Sequence, residues 1–164
     1  MSLAERWHDF YLLTGAAAAT LAGLVFVALA LRPEVLSDPA QPGAQAHARQ
    51  IFGHFVGALL LSIVVLVPGQ SAGLLGVEIV LAGALGVVTT IGRVRRIVAG
   101  GSAGRPRLAP LLAIGAGQAT LMIGGGALVL GQDGLYLVGL GIAVVLMLAF
   151  VSVWQIVVPA GRRA

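Results

Sequence analysis

Residues 71–107 read SAGLLGVEIVLAGALGVVTTIGRVRRIVAGGSAGRPR, and this stretch decides the fold. From Ser71 to Gly92 the run carries a single charged side chain, Glu78. At about 1.5 Å per residue, a helix of that length crosses the roughly 30 Å hydrocarbon layer of a bilayer. Five arginines follow within a short loop: Arg93, Arg95, Arg96, Arg105 and Arg107. A crossing that ends in a knot of arginine reads as a helix whose C-terminal end is held on the cytoplasmic side.

Four further apolar runs flank this one, at about 10–31, 51–67, 108–130 and 135–158. The second is short, and its helix is expected to begin earlier, near Ala44, because Gln45 to Gln50 are mostly helix formers preceded by Pro42-Gly43. Ser71 is placed as an N-cap of the third run. The expected fold is all-α: one membrane domain spanning residues 1–164, a bundle of five transmembrane helices. No segment at the N-terminus has the layout of a cleaved secretory signal.

The gaps between the runs alternate in charge. All ten basic residues are arginines. Arg32 and Arg49 bracket the first gap, five arginines fill the third, and Arg162-Arg163 close the chain. The N-terminal end has only Arg6, and the gaps at Pro68-Gly69-Gln70 and Gly131-Gln132-Asp133 have none. Nine arginines therefore fall on one side, which predicts N-terminus out and C-terminus in. Trp7, Tyr11 and Tyr136 then lie at the outer interface and Trp154 at the inner one, the depth that amphipathic rings prefer.

Composition agrees. The chain has 164 residues, 59% hydrophobic and 10% charged, with a mean hydropathy of +1.01. A soluble domain carries about 25% charged residues. Cysteine is absent, which removes disulfides, thiolate metal sites and cysteine nucleophiles. The net charge of +4 is confined to loops and ends, so the lipid bilayer, not nucleic acid, is the expected partner. The lysine-free, Ala/Gly/Arg-rich composition suggests a GC-rich bacterial genome, and so a bacterial inner membrane.

Small residues recur at helical spacing: Gly15, Ala19 and Gly23; Ala72, Gly76 and Ala84; Ala113, Gly117 and Gly125. Such stripes let helix backbones approach where lipid removes the usual hydrophobic drive. They serve either packing within one bundle or contacts between subunits, and their number points to a homo-oligomer.

Few polar side chains fall inside the spans. Glu78 lies about seven residues, roughly 10 Å, below the outer end of the third run. An ionisable group there faces protein or water. It reads either as a proton or cation site near the outer mouth of a pathway, or as a neutral carboxyl bonded to a neighbouring helix. His54 sits near the inner end of the second run, with His47 two turns earlier, too far for both to bind one metal. Gln118, Thr120, Thr20 and Ser62 fall near mid-membrane, where they bond across helices or line a pore. His8 and Asp9 mark the outer edge of the first run. Arg49, Arg93, Arg95, Arg96, Arg105 and Arg107 are placed for contact with anions or lipid headgroups; the glycines 100, 101 and 104 between them lack the Gly-Lys-Ser/Thr ending of a nucleotide loop. No serine–histidine–acid set, carboxylate pair or HExxH occurs, so no enzyme, metal or cofactor is expected.

The first run, WHDFYLLTGAAAATLAGLVFVAL over residues 7–29, resembles the first span of a group of small bacterial membrane proteins, some of them labelled modulators of the membrane protease FtsH. The layout from His54-Phe55 to Pro68 shares in the likeness. The resemblance implies a multi-pass membrane protein with a larger membrane partner, and brings no catalytic residues. The polar residues lead to the expected function, a homo-oligomeric channel or transporter-like protein for an ion or small solute using Glu78, Gln118, Ser62 and His54; the alternative is an accessory subunit of a larger membrane complex such as a membrane protease.

Overall fold

The computed structural model describes residues 3–31, 42–99 and 108–157, with side chains over 5–31, 47–95 and 111–153. The described residues form five α-helices: α1 (Leu3–Ala30), α2 (Pro42–Val65), α3 (Ala72–Ala99), α4 (Leu108–Val129) and α5 (Leu135–Val157). Each is long and apolar enough to cross a membrane. Leu13, Leu81, Leu85 and Met147 are among the many large apolar side chains turned outward, the surface of a membrane-embedded multi-pass protein.

Three of the helices extend beyond the apolar runs that announce them, while α4 and α5 match theirs to within a residue. α1 starts at Leu3 rather than near residue 10, with Glu5 in its first turn, where a carboxylate meets the positive end of the helix dipole. α2 starts at Pro42; proline suits a first turn because its missing N–H would be unpaired there anyway. α3 continues past Gly92 to Ala99, since arginine is a good helix former and its charge suits a C-terminal turn. Its length, about 42 Å at 1.5 Å per residue, exceeds the hydrocarbon layer.

The turns are built by local chemistry. The Ser71 hydroxyl accepts a hydrogen bond from the Leu74 N–H at 3.3 Å, so the expected N-cap of α3 is present. Gly131 has φ 75°. There the Gln132 N–H donates to the Ala127 carbonyl at 2.8 Å and the Gly131 N–H to the Leu128 carbonyl at 3.1 Å. That pair of bonds is a Schellman stop, which a left-handed glycine permits. The Asp133 carboxylate then receives the Leu135 N–H at 3.3 Å and starts α5.

α4 lies between α3 and α5, and the contacts on both sides are made by glycine. A Cβ on Gly76 would stand 2.5 Å from the Gly125 carbonyl oxygen, and one on Gly125 would stand 2.8 Å from that of Gly76. Gly117 and Gly141 face each other in the same way across α4 and α5. The stripe of Ala113, Gly117 and Gly125 therefore serves two partners, α5 through Gly117 and α3 through Gly125. α1 and α2 form a second unit, and α2 docks it mainly on α5. One core cluster draws on all five helices, including Tyr11, Ala58, Ile79, Leu128 and Ile142. A second, Ala22, Val25, Ile51, Phe55 and Ala149, draws on α1, α2 and α5 only.

Candidate functional site

The N-terminal end of α1 and the α4–α5 turn meet. Arg6 pairs with Asp133 at 3.3 Å, both well exposed. Trp7 packs its ring against Tyr136 at 6.3 Å, Phe10 at 5.6 Å and Tyr11 at 6.2 Å. Tyr11 is wholly buried, and its hydroxyl donates to the Leu135 carbonyl at 2.7 Å. Three aromatics expected at one interface thus form one cluster with Phe10. His8 and Asp9 beside them are exposed.

Glu78 belongs to this same end. It is half-buried on α3, and its carboxylate accepts a hydrogen bond from the Gln70 side-chain amide in the α2–α3 turn. The other atom of that amide, Gln70 Oε1, is buried without a partner among the described residues. Gln70 is a partner that the sequence offers only as a loop residue; its place eight positions before Glu78 was the available signal.

The polar residues expected near mid-membrane fall between different helix pairs. Gln118, 5% exposed, sits between α4 and α3, where its side-chain carbonyl accepts the Thr90 hydroxyl at 3.1 Å. Gly86 of α3 makes room for that side chain, and Gly83 for the Met122 side chain and the Gln118 backbone carbonyl. Thr90 carried no expectation, although the antiparallel register of the two helices brings it to Gln118. Ser62, 1% exposed, lies between α2 and α1, against Gly15, and donates to the Ala58 carbonyl of its own helix at 2.9 Å. Thr20 and Thr120 bond back to Ala16 and Ala116. Each hydroxyl is closed within its own helix or against one neighbour.

His54 lies at the other end from Glu78. Its Nε2 is buried and has no hydrogen-bond partner among the described residues. Arg93 of α3 is near enough for its charge to bear on both His54 and His47. Arg49 and Arg95 are exposed at this end, and the Arg93 side chain is half-buried. Arg96 lies on α3, its side chain outside the described set, and Arg105 and Arg107 lie outside the described residues. Among the described residues no group of three His, Cys, Asp or Glu side chains gathers to hold a metal.

No protein-family model matches the chain, and neither a curated protein nor a solved structure does.

Proposed function

We propose that the protein is a five-span inner-membrane protein, N-terminus out and C-terminus in, that acts by binding other membrane-embedded helices as an accessory subunit. Its orientation follows from the nine arginines on one side against Arg6 on the other. The observation that carries the functional reading is the separation of Ser62 and Gln118. One is sealed between α1 and α2, the other between α3 and α4. Among the described residues these two polar groups sit in different helix pairs, and the outward faces are what the chain offers a partner.

The outward face best suited to a partner helix is on α1. Gly15 is taken up by Ser62, but Ala16, Ala19, Thr20 and Gly23 are exposed, and a Cβ on Gly23 would meet nothing within 4 Å. A small-residue face lets a foreign helix come close. The likeness of this span to proteins labelled FtsH modulators points to a membrane protease as the class of partner. No catalytic chemistry is assigned to the chain itself.

A second reading rests on Glu78: a homo-oligomeric channel or transporter-like protein, its pathway formed between copies and bordered by the Glu78–Gln70 pair. Native mass after mild-detergent extraction separates the two. Stable co-purification with a larger membrane protein supports the accessory role. A lone symmetric multiple of the 16.6 kDa chain, together with liposome flux that Glu78→Ala abolishes, overturns it.

A further inference from the structure

We propose that the Glu78–Gln70 pair binds the primary ammonium of a lipid headgroup, with the Glu78 carboxylate supplying the counter-charge and Gln70 Oε1 a second acceptor. The pair by itself is incomplete. The Gln70 amide donates to Glu78 through Nε2, while its Oε1 is buried without a partner among the described residues. A buried acceptor left unpaired is costly, and so is a carboxylate within a span whose neighbour is a neutral amide. Of the arginines whose side chains are described, Arg6 pairs with Asp133, and Arg49, Arg93 and Arg95 belong to the opposite end. The group that completes the pair must carry positive charge and donate hydrogen bonds.

One small group can do both. The two heteroatoms of the Gln70 amide share a carbon, so Oε1 lies within one ligand's breadth of the carboxylate that Nε2 touches. An ammonium nitrogen has three N–H donors, enough for the carboxylate, the amide oxygen and one bond more. The amide is held in place from both sides. Gly69, with φ 75°, turns the chain before it, and the Ser71 hydroxyl caps α3 after it.

The surroundings select a lipid over a free amine. Glu78 lies in the second turn of α3, near the end of the span. Leu74, Leu81 and Leu85 stand at i−4, i+3 and i+7 from it, on the same side of the helix, and all three are exposed. A ligand that reaches the carboxylate along that side needs an apolar body below its cation. A lipid with an ammonium headgroup has both, its nitrogen at the interface and its chains along the leucines.

The test is native mass spectrometry of the delipidated full-length protein, titrated with phosphatidylethanolamine, its N,N-dimethyl analogue or phosphatidylcholine. These lipids share one net charge and differ in N–H donors. Wild type is expected to bind phosphatidylethanolamine roughly tenfold more tightly than phosphatidylcholine, the scale of one hydrogen bond to a charged group, with the dimethyl lipid between them. Glu78→Gln should abolish that preference with helix content unchanged. Gln70→Leu, placed in the turn rather than in a helix, should reduce it. Lipid affinity is read apart from partner recovery and from flux, so the result stands whichever role the chain has. Equal binding of the three lipids by wild type overturns the assignment, as does a preference undiminished in either variant. So does displacement of the lipid by free ethanolamine at equal concentration, which would make the ligand a soluble amine. An equal loss in Asp9→Asn, at an exposed carboxylate of the same end, would mark a diffuse acidic surface and overturn it too.

Discussion

Gly76 and Gly125 pack backbone to backbone, each holding its carbonyl oxygen where a side chain on the other would begin. Nothing flexible stands between them, so neither can accept a methyl group without moving a helix. Gly76→Ala is expected to destabilise the fold by about 1–3 kcal/mol, the range for overpacking a tight interface. Unfolding in mixed micelles measures this, and a change within about 0.5 kcal/mol would show that α3 and α4 slide freely.

Gly86 offers the contrast. A Cβ there meets the Gln118 side chain rather than backbone, at 2.7 Å. Gly86→Ala should therefore cost less than Gly76→Ala, by displacing the amide from Thr90. A double-mutant cycle of Thr90→Val and Gln118→Leu should give a coupling of about 0.6–1.7 kcal/mol, as for interhelical hydrogen bonds in membranes. In the Gly86→Ala background that coupling should vanish.

Tyr11 is held by one hydroxyl contact and a bed of rings. Tyr11→Phe removes the bond to the Leu135 carbonyl and keeps the packing, for an expected loss of about 0.5–1.5 kcal/mol. Arg6→Gln, at the exposed ion pair nearby, should change stability by less than about 0.5 kcal/mol. Thermal unfolding of the two variants side by side checks the order, and a larger loss for Arg6→Gln would reverse it.

Gly15 and Gly23 lie on one sequence stripe and should behave oppositely. A Cβ on Gly15 would come within 3.0 Å of the Ser62 Cβ, whereas Gly23 faces open space. Gly15→Leu is expected to lower stability, while Gly23→Leu leaves it unchanged and releases a bound partner. Thermal unfolding and co-purification, run on both variants, read the two effects. Unchanged partner recovery with Gly23→Leu would remove α1 as the docking face.

Sidedness is directly measurable because the chain has no cysteine. Single cysteines at Gln132 and Arg95, both exposed, should react with an impermeant thiol reagent from opposite sides. Gln132→Cys is expected to label in intact cells and Arg95→Cys only after the membrane is opened. The reverse pattern would invert the orientation.

The five helices were legible because apolar length is written along the chain. Helix ends were less so: hydropathy falls at Gly92, but the hydrogen-bonded ladder of α3 runs on to Ala99. The stripe of Ala113, Gly117 and Gly125 announced close packing without saying with which helix, since residues eight apart already look toward different neighbours. Polar partners were the least visible. Glu78 with Gln70, and Gln118 with Thr90, depend on a turn's path and on a helix register that no single segment contains.

The hydroxyl of Tyr11 and the carbonyl of Leu135 are separated by 124 positions in the chain. The first helix is therefore made and left waiting while the next three are synthesised, and its most deeply buried polar group meets its acceptor only when the last hairpin is made. Closure of the bundle is a late event. Until then the face of α1 that carries Tyr11 stays unsealed, so the order of synthesis leaves the innermost packing of the first helix to be completed by the last.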